Sequence, residues 1–300
     1  MIGRPRRRRR RLTWFTAIAA SIAVALGIGA VPAGHRPTSR PAAASAPSPS
    51  ASTGSVTVVH VRTGNGATRA VWVYRPAVPD SASLPVVYFL HGVPGTARSV
   101  FDAGIVRELD DAIRRSGRPF VFVSPDGNGT SHEDTEWADA LDGSDLVETD
   151  LLDRVVPAVE GAHRRDRAHR AIAGFSMGGY GAVNLAEHHA DRFGQVVSIS
   201  GYFHVDDPDL MFGDDPDTET ANESDRHAAS LARTRVMLLE GADDDEPVVK
   251  GEAARFGAVL DAAHVAHELR IDPGTHHWSF VIAEAPVWLD FLERGWAPLP

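Results

Sequence analysis

One serine in this chain is flanked in a way that could make it a nucleophile. Ser176 sits in Gly174-Phe175-Ser176-Met177-Gly178-Gly179, after the apolar run Ala171-Ile172-Ala173 and before a helix-like stretch at 180–189. Strand, G-x-S-x-G, helix is the layout of a nucleophile elbow, a turn tight enough to strain the serine backbone. Glycines at 174 and 178 remove Cβ atoms that would collide there. The Oγ is then exposed, with the N terminus of the helix behind it.

A serine hydroxyl is a poor nucleophile at neutral pH unless a base takes its proton. Pro273-Gly274-Thr275-His276-His277-Trp278 offers that base, on a loop between the last apolar run and the last helical stretch. His276 is the candidate. His277 is its rival, because a slip of one residue would turn the imidazole away. A carboxylate must then orient the ring and stabilise its charged form. Gly241-Ala242-Asp243-Asp244-Asp245 follows the apolar run at 236–239 and supplies three choices. Asp244, three residues past the glycine, is favoured over Asp243 and Asp245, and some of the three are expected to cap a helix beginning near Pro247. An oxyanion needs two N–H donors where the negative oxygen forms. Met177, next after the serine, would give one. Val93 in His91-Gly92-Val93-Pro94-Gly95 would give the other, since Pro94 has no N–H. No metal and no cofactor is expected.

The elements that must hold these residues can be read from periodicity. Residues 56–62 and 69–74 alternate or run β-branched around Gly64-Asn65-Gly66, a hairpin signal. Short apolar runs at 86–90, 120–123, 171–173, 196–199, 236–239 and 269–271 have the composition of buried parallel strands. Helix-period segments at 100–115, 145–159, 180–189, 248–263 and 278–292 lie between and after them. Strands alternating with helices predict an α/β fold, a mostly parallel central sheet covered by helices on both faces. Ligands in such sheets sit beyond the C-terminal strand ends, and each candidate residue falls just after a strand.

The N-terminal region has a different character. Arg4 and six consecutive arginines at 6–11 precede an apolar stretch at 12–31, the pattern of an export signal. Val31-Pro32-Ala33 offers small residues for cleavage; uncleaved, the apolar stretch is long enough to tether the chain in a membrane. Either way the remainder is expected outside the cytoplasm, secreted or membrane-anchored. Residues 34–55 are rich in Pro, Ala, Ser and Thr and are expected to be a disordered linker to one catalytic domain at 56–300. The chain has no cysteine, so neither a disulfide framework nor a lipidated thiol is available. Residues 1–33 hold seven of the 30 basic groups and no acid, which leaves 23 against 40 acidic groups, a net of −17. That balance argues against nucleic acid or an anionic lipid surface as a partner of the folded part. No protein partner is expected.

The stretch from Ala173 through Ser176 to Ala182, with Phe193 and Ser198-Ile199-Ser200-Gly201 downstream, resembles the Putative esterase family of α/β-hydrolases. That family includes esterase D-like enzymes, feruloyl and siderophore esterases and secreted mycolyltransferases. The resemblance covers about residues 56–292. It implies an α/β-hydrolase fold, with Ser176 as nucleophile, Asp244 as acid, His276 as base, and Val93 and Met177 as backbone donors. The chain order serine, acid, histidine agrees. The family's last motif usually reads G-G-H, then Asp, Asn or Glu, then Trp; here Thr275 replaces a glycine and His277 the polar residue. Mycolyltransferases more often use a glutamate as the acid, which disfavours that branch.

The expected activity is hydrolysis of a small-molecule, lipid or sugar ester through an acyl-serine. Acyl transfer to an envelope sugar or lipid alcohol is the first alternative, and a silent binding protein on a hydrolase scaffold the second. Two loops are also singled out. Asp206, Asp207, Asp209, Asp214, Asp215, Asp217 and Glu219 crowd the segment at 204–227. It reads as a solvated acidic loop, with a lid or a calcium loop as alternatives. Within it Met211-Phe212 are apolar enough to touch a substrate. Trp137, in the loop at 126–142, is expected to border the cleft.

Overall fold

The computed structural model describes residues 53–79 and 81–298. Among the described residues there are eight strands: β1 Ser55–Arg62, β2 Thr68–Arg75, β3 Val86–Leu90, β4 Val121–Pro125, β5 Arg170–Phe175, β6 Gln195–Ile199, β7 Arg235–Gly241 and β8 His267–Asp272. They form one sheet in the order β1-β2-β4-β3-β5-β6-β7-β8. β1 and β2 are the antiparallel hairpin, with Ser55 opposite Arg75 and Arg62 opposite Thr68. β2 meets β4 antiparallel, and every pairing from β4 to β8 is parallel. The hairpin turn needs a residue at positive φ, which Gly66 supplies at 89°. Asn65 Oδ1 braces the turn by accepting from Thr63 Oγ1 (2.6 Å) and the Ala67 amide (3.2 Å).

Apolar residues run without interruption in the inner strands because both faces of the sheet are covered. Val86, Tyr88 and Leu90 of β3 join one core, with Met177, Leu185, Phe256 and Leu260 from the helices Met177–His188 and Glu252–Ala262. Val87 and Phe89 join the other, with Leu109, Trp288 and Leu292 from the helices Ile105–Ser116 and Ala285–Gly295. Val236 and Leu238 against Met237 and Leu239 repeat the split in β7. Phe89 is buried with its ring 5.6 Å from Phe122 and 5.8 Å from Trp288. Truncating such a ring to alanine costs about 3–5 kcal/mol.

Several elements differ from expectation, each for a local reason. The stretch at 100–115 is two helices, Ser99–Asp102 and Ile105–Ser116, because Gly104 turns to φ 104°. The C-terminal stretch also divides, into Trp278–Ala283 and Ala285–Gly295, with Pro286 in the first turn of the second, where its missing N–H costs nothing. The helix expected from 248 starts at Glu252. Its first amides are claimed by a buried carboxylate of β7, Glu240, which accepts from Gly251 (2.6 Å) and Ala253 (2.8 Å). β8 is not a buried strand: it is the sheet edge, and Leu269 and Ile271 stay 41% and 45% exposed. Arg270 pairs with Asp272 along that edge, and charge there discourages another strand from adding.

The expected export or anchor segment at 1–33, including the tether at 12–31, lies outside the described residues, as does the linker up to 52. β1 begins at Ser55, inside the span expected to be linker. Among the described residues no helix is long and apolar enough to cross a membrane.

Candidate active site

Ser176 joins β5 to the helix Met177–His188 with φ 60° and ψ −124°, a region that side-chain-bearing residues rarely occupy. Its backbone is overdetermined. The Ser176 amide donates to the Ile199 carbonyl (3.0 Å), and the Ser176 carbonyl accepts from Gly179 (2.7 Å) and Tyr180 (3.1 Å). A Cβ on Gly174 would strike the Gly178 carbonyl, and one on Gly178 the Leu90 carbonyl. On the other side Gly92 lies so close that its Cβ would sit 2.7 Å from the Ser176 Cβ. Glycine at 92 therefore lets the loop after β3 lie against the serine.

That loop is pinned from beneath. The Gly127 amide donates to His91 Nε2 (2.9 Å), leaving Nδ1–H to donate to the Gly92 carbonyl (3.0 Å). Trp137 Nε1 donates to the His91 carbonyl (3.0 Å) and Asn128 Nδ2 to the Gly95 carbonyl (2.8 Å). Val93, half-buried, stands in the middle of this loop, and Met177, buried, opens the helix behind Ser176. Met177 adjoins Ser176 in the chain, and Val93 follows the glycine that lies against it.

The structure brings Ser176, His276 and Asp244 together. His276 Nε2 is 2.9 Å from Ser176 Oγ, and His276 Nδ1 is 2.8 Å from Asp244 Oδ2. With Asp244 ionised, Nδ1 carries the proton and Nε2 is the free acceptor that the Ser176 hydroxyl donates to. Asp244 is 1% exposed, and its second oxygen accepts from the Glu246 amide (3.0 Å). Burial pushes its carboxyl up. The hydrogen bond and charge of His276, the Glu246 amide and the Ser200 hydroxyl outweigh burial, and the group is held below the ordinary carboxylate range. Asp243 and Asp245 are exposed. The two loops are joined by backbone bonds: Ala242 N–H to the Asp272 carbonyl (2.8 Å) and Asp243 N–H to the Gly274 carbonyl (2.9 Å). His277 points elsewhere, accepting from the Ser279 amide (3.1 Å) as the N-cap of the helix Trp278–Ala283. A ring nitrogen there does the capping that a short polar side chain would do.

Some contributors carried no obvious signal in the sequence. Phe175, the variable residue before the serine, stacks on the His276 ring at 4.7 Å and 30°, and Trp278 leans on Phe175 at 5.0 Å. Ser200, at φ 44° after β6, is fully buried and its amide donates to the Leu239 carbonyl (2.7 Å). Glu246 is half-buried and within electrostatic reach of His276; burial raises its carboxyl, His276 pulls it down, Asp244 and Asp245 add to the rise, and the net shift is upward. The spacing of Trp278 two residues past His276 was the one available hint of the stack.

One expectation fails. Met211 and Phe212 do not face a cleft: both are buried against Ala138 and Ala140, and Asp207 accepts their amides at 2.6 and 2.9 Å. Trp137 borders the site from beneath: it is buried, 5.2 Å from the His91 ring, and braces the loop at 91–95. The acidic segment is only partly solvated. Asp209 accepts from the Glu133 and Asp134 amides (2.9 and 3.0 Å), and Asp215 caps the helix Pro216–Ala221. Among the described residues no group of three or more acids or histidines is placed to hold a metal ion.

Against known proteins, the sequence matches the Putative esterase family over residues 64–283. A stretch of 123 residues is 33% identical to Esterase Rv1288 of Mycobacterium tuberculosis (strain ATCC 25618 / H37Rv), covering 40% of this chain and 25% of that protein. Another of 131 residues is 30% identical to Putative esterase NocK of Nocardia uniformis subsp. tsuyamanensis, covering 42% and 35%. The chain thus spans a quarter to about a third of the length of these relatives. Among solved structures, a ferulic acid esterase superposes with a TM-score of 0.69 at 26% identity, over 81% of this chain and 99% of that one. An S-formylglutathione hydrolase from Agrobacterium tumefaciens reaches 0.69 at 19% identity, over 82% and 96%, a likeness of fold. So long a family match, on a fold shared with a ferulic acid esterase over nearly all of that enzyme's length, places this chain in the Putative esterase family of α/β-hydrolases.

Proposed function

We propose that the chain hydrolyses carboxylic esters through an acyl-serine formed at Ser176. One observation carries the reading: the Ser176 hydroxyl lies 2.9 Å from a histidine nitrogen whose other nitrogen is held 2.8 Å from a buried carboxylate. Ser176 Oγ attacks the ester carbonyl as its proton passes to His276 Nε2. Asp244 keeps Nδ1–H oriented and offsets the imidazolium charge. The oxyanion faces the amides of Val93 and Met177, with the N terminus of the elbow helix adding favourable potential. His276 returns the proton to the leaving alcohol. Water then repeats the sequence on the acyl-serine, giving up its proton to His276 and releasing the acid.

No step requires a group other than protein and water. The export pattern of residues 1–33 supports a site of action outside the cytoplasm, secreted or tethered. The test is direct. A serine-directed phosphonate should label the protein once, at Ser176, and Ser176→Ala should stay folded while losing ester turnover. Labelling at another residue, or full turnover in Ser176→Ala, refutes the reading. Running the same esters with sugar and lipid alcohols present separates hydrolysis from transfer, because a transfer product forms at the expense of free acid.

A further inference from the structure

Charge is segregated along the strand direction. The segments at 126–146, 200–227 and 242–251 follow the C-terminal ends of β4, β6 and β7, and they hold seven, nine and four acidic residues against one arginine, Arg226, and one lysine, Lys250. At the opposite edge Arg118 precedes β4, Arg164, Arg165 and Arg167 precede β5, which starts at Arg170, Arg192 precedes β6, and Arg233 precedes β7, which starts at Arg235. Because these strands are parallel, the acids gather on one edge and the arginines on the other. Ser176 and His276 are on the acidic edge.

Arg226 and Lys250 are exposed on this side, Arg69 is buried against the Asp126 and Asn128 carbonyls, and the remaining nearby cations are each held by a carboxylate. Arg98, in the loop after β3, pairs with Asp102 and lies over Trp72. His132 is bound to Asp145 and His204 to Glu252, while Arg255 is shared by Glu252 and Asp225. Asp134 reports the excess: burial first, then the charges of Asp209, Asp206 and Asp207, push its carboxyl up to about 7. Glu246 brings the same sign up to the reacting centre: it is half-buried, follows Asp244 and Asp245 in the chain, and its amide donates to the carboxylate that holds His276 (3.0 Å).

We propose that this edge makes the site select by charge, accepting uncharged and cationic esters and rejecting esters with a carboxylate or phosphate close to the scissile bond. Glu246 is the side chain that applies this selection beside His276. The inference rests on the reading of Ser176 as nucleophile and deepens it. An anion approaching the acidic edge is repelled in a region of low dielectric, where walls of one sign focus the field. A neutral aromatic or aliphatic ester meets no such barrier, and a cation is drawn in. A glutathione thioester, with two carboxylates of its own, falls in the rejected class.

Three nitrophenyl esters of matched size test this, with acyl chains ending in tert-butyl, carboxylate or trimethylammonium. At about 10 mM salt the carboxylate ester should show kcat/KM roughly ten-fold or more below the neutral one, and the cationic ester should equal or exceed it. At about 1 M salt, where screening acts within ~3 Å, most of the gap should close. Glu246→Gln should narrow the ratio of neutral to carboxylate ester several-fold, a readout unaffected by any common loss of turnover. A carboxylate ester turned over as well as the neutral one at low salt, or a gap indifferent to salt, overturns the inference and leaves the esterase reading standing. An unchanged ratio in Glu246→Gln overturns the role given to that side chain. If the neutral ester is not cleaved and the phosphonate labels nothing, the nucleophile reading itself has failed.

Discussion

Two buried carboxylates on the same edge of the sheet end in opposite states. Asp244, in the loop after β7, lies against His276 and is held below the ordinary carboxylate range. Glu136, in the loop after β4, is fully buried, accepts from the Tyr202 hydroxyl (2.7 Å) and leaves its other oxygen unpartnered. Burial and the charge of Asp134 push its carboxyl far up, beyond what the Tyr202 bond recovers. Both are hidden from solvent, but Glu136 lies deeper and has fewer donors. Asp145, in the same loop as Glu136, sharpens the lesson. It is buried, yet the Thr130, Ser131 and His132 amides hold it well down (2.6, 2.8 and 3.1 Å). A carboxylate keeps its charge inside a protein when donors surround it, and only such a charge can support an imidazolium.

The contrast can be broken most sharply at Asp244. Asp244→Asn should lower kcat by roughly 10³–10⁴, as the ring loses its orientation and counter-charge. Asp243→Asn and Asp245→Asn should leave turnover of a neutral ester within about two-fold, since neither carboxylate touches the ring. A steady-state comparison of the three variants decides; a crippled Asp243→Asn or Asp245→Asn enzyme contradicts the observed pairing.

Next in size is the stack behind the histidine. Phe175→Leu keeps an apolar residue but removes the face that the His276 ring lies on. Misplacing the base should cost roughly ten- to a hundred-fold in kcat with KM little changed, and phosphonate labelling should slow in parallel. An unaltered labelling rate would mean that Asp244 alone holds the ring.

The raised group predicts a smaller effect, on stability and not on turnover. Asp134 titrates at about 7 in the folded chain against 3.8 ordinarily. Between roughly pH 4 and pH 7 the folded state retains a proton that the unfolded state has released, so stability falls as pH rises through that window. Asp134→Asn should therefore raise Tm near pH 8, by about 2–4 °C for each kcal/mol relieved, and give no gain near pH 4. A calorimetric pair at the two pH values checks it. The smallest change is expected at His277. Removing this N-cap in His277→Ala should cost about 1 kcal/mol of stability and leave turnover nearly intact. Loss of activity there would move the base by one residue.

Much of the fold was legible beforehand. The eight strands of the described residues appear where alternation or apolar runs predicted them, and the elbow falls at Ser176. The failures have one physical origin. Leu269 and Ile271 read as buried because composition reports what a strand could bury, whereas an edge position leaves one side without a neighbour. Met211 and Phe212 read as substrate contacts because they are apolar within an acidic segment, whereas they bury against Ala138 and Ala140 of another loop.

The sequence by itself determined whatever depends on neighbours a few residues away. The glycine at 174, whose Cβ would strike Gly178, and the alternation of side chains along each strand act within one turn or one strand, so their pattern is written in the chain. Only the tertiary structure decided which aspartate and which histidine meet. Asp244 and His276 are 32 residues apart, and His276 and Ser176 are 100 apart. Whether a side chain on such a loop faces the serine or the solvent depends on a rotation of the backbone set by bonds between loops, Asp243 to Gly274 and Ala242 to Asp272. Local spacing carries no record of that rotation, because adjacent residues on an irregular loop differ in direction and not in composition.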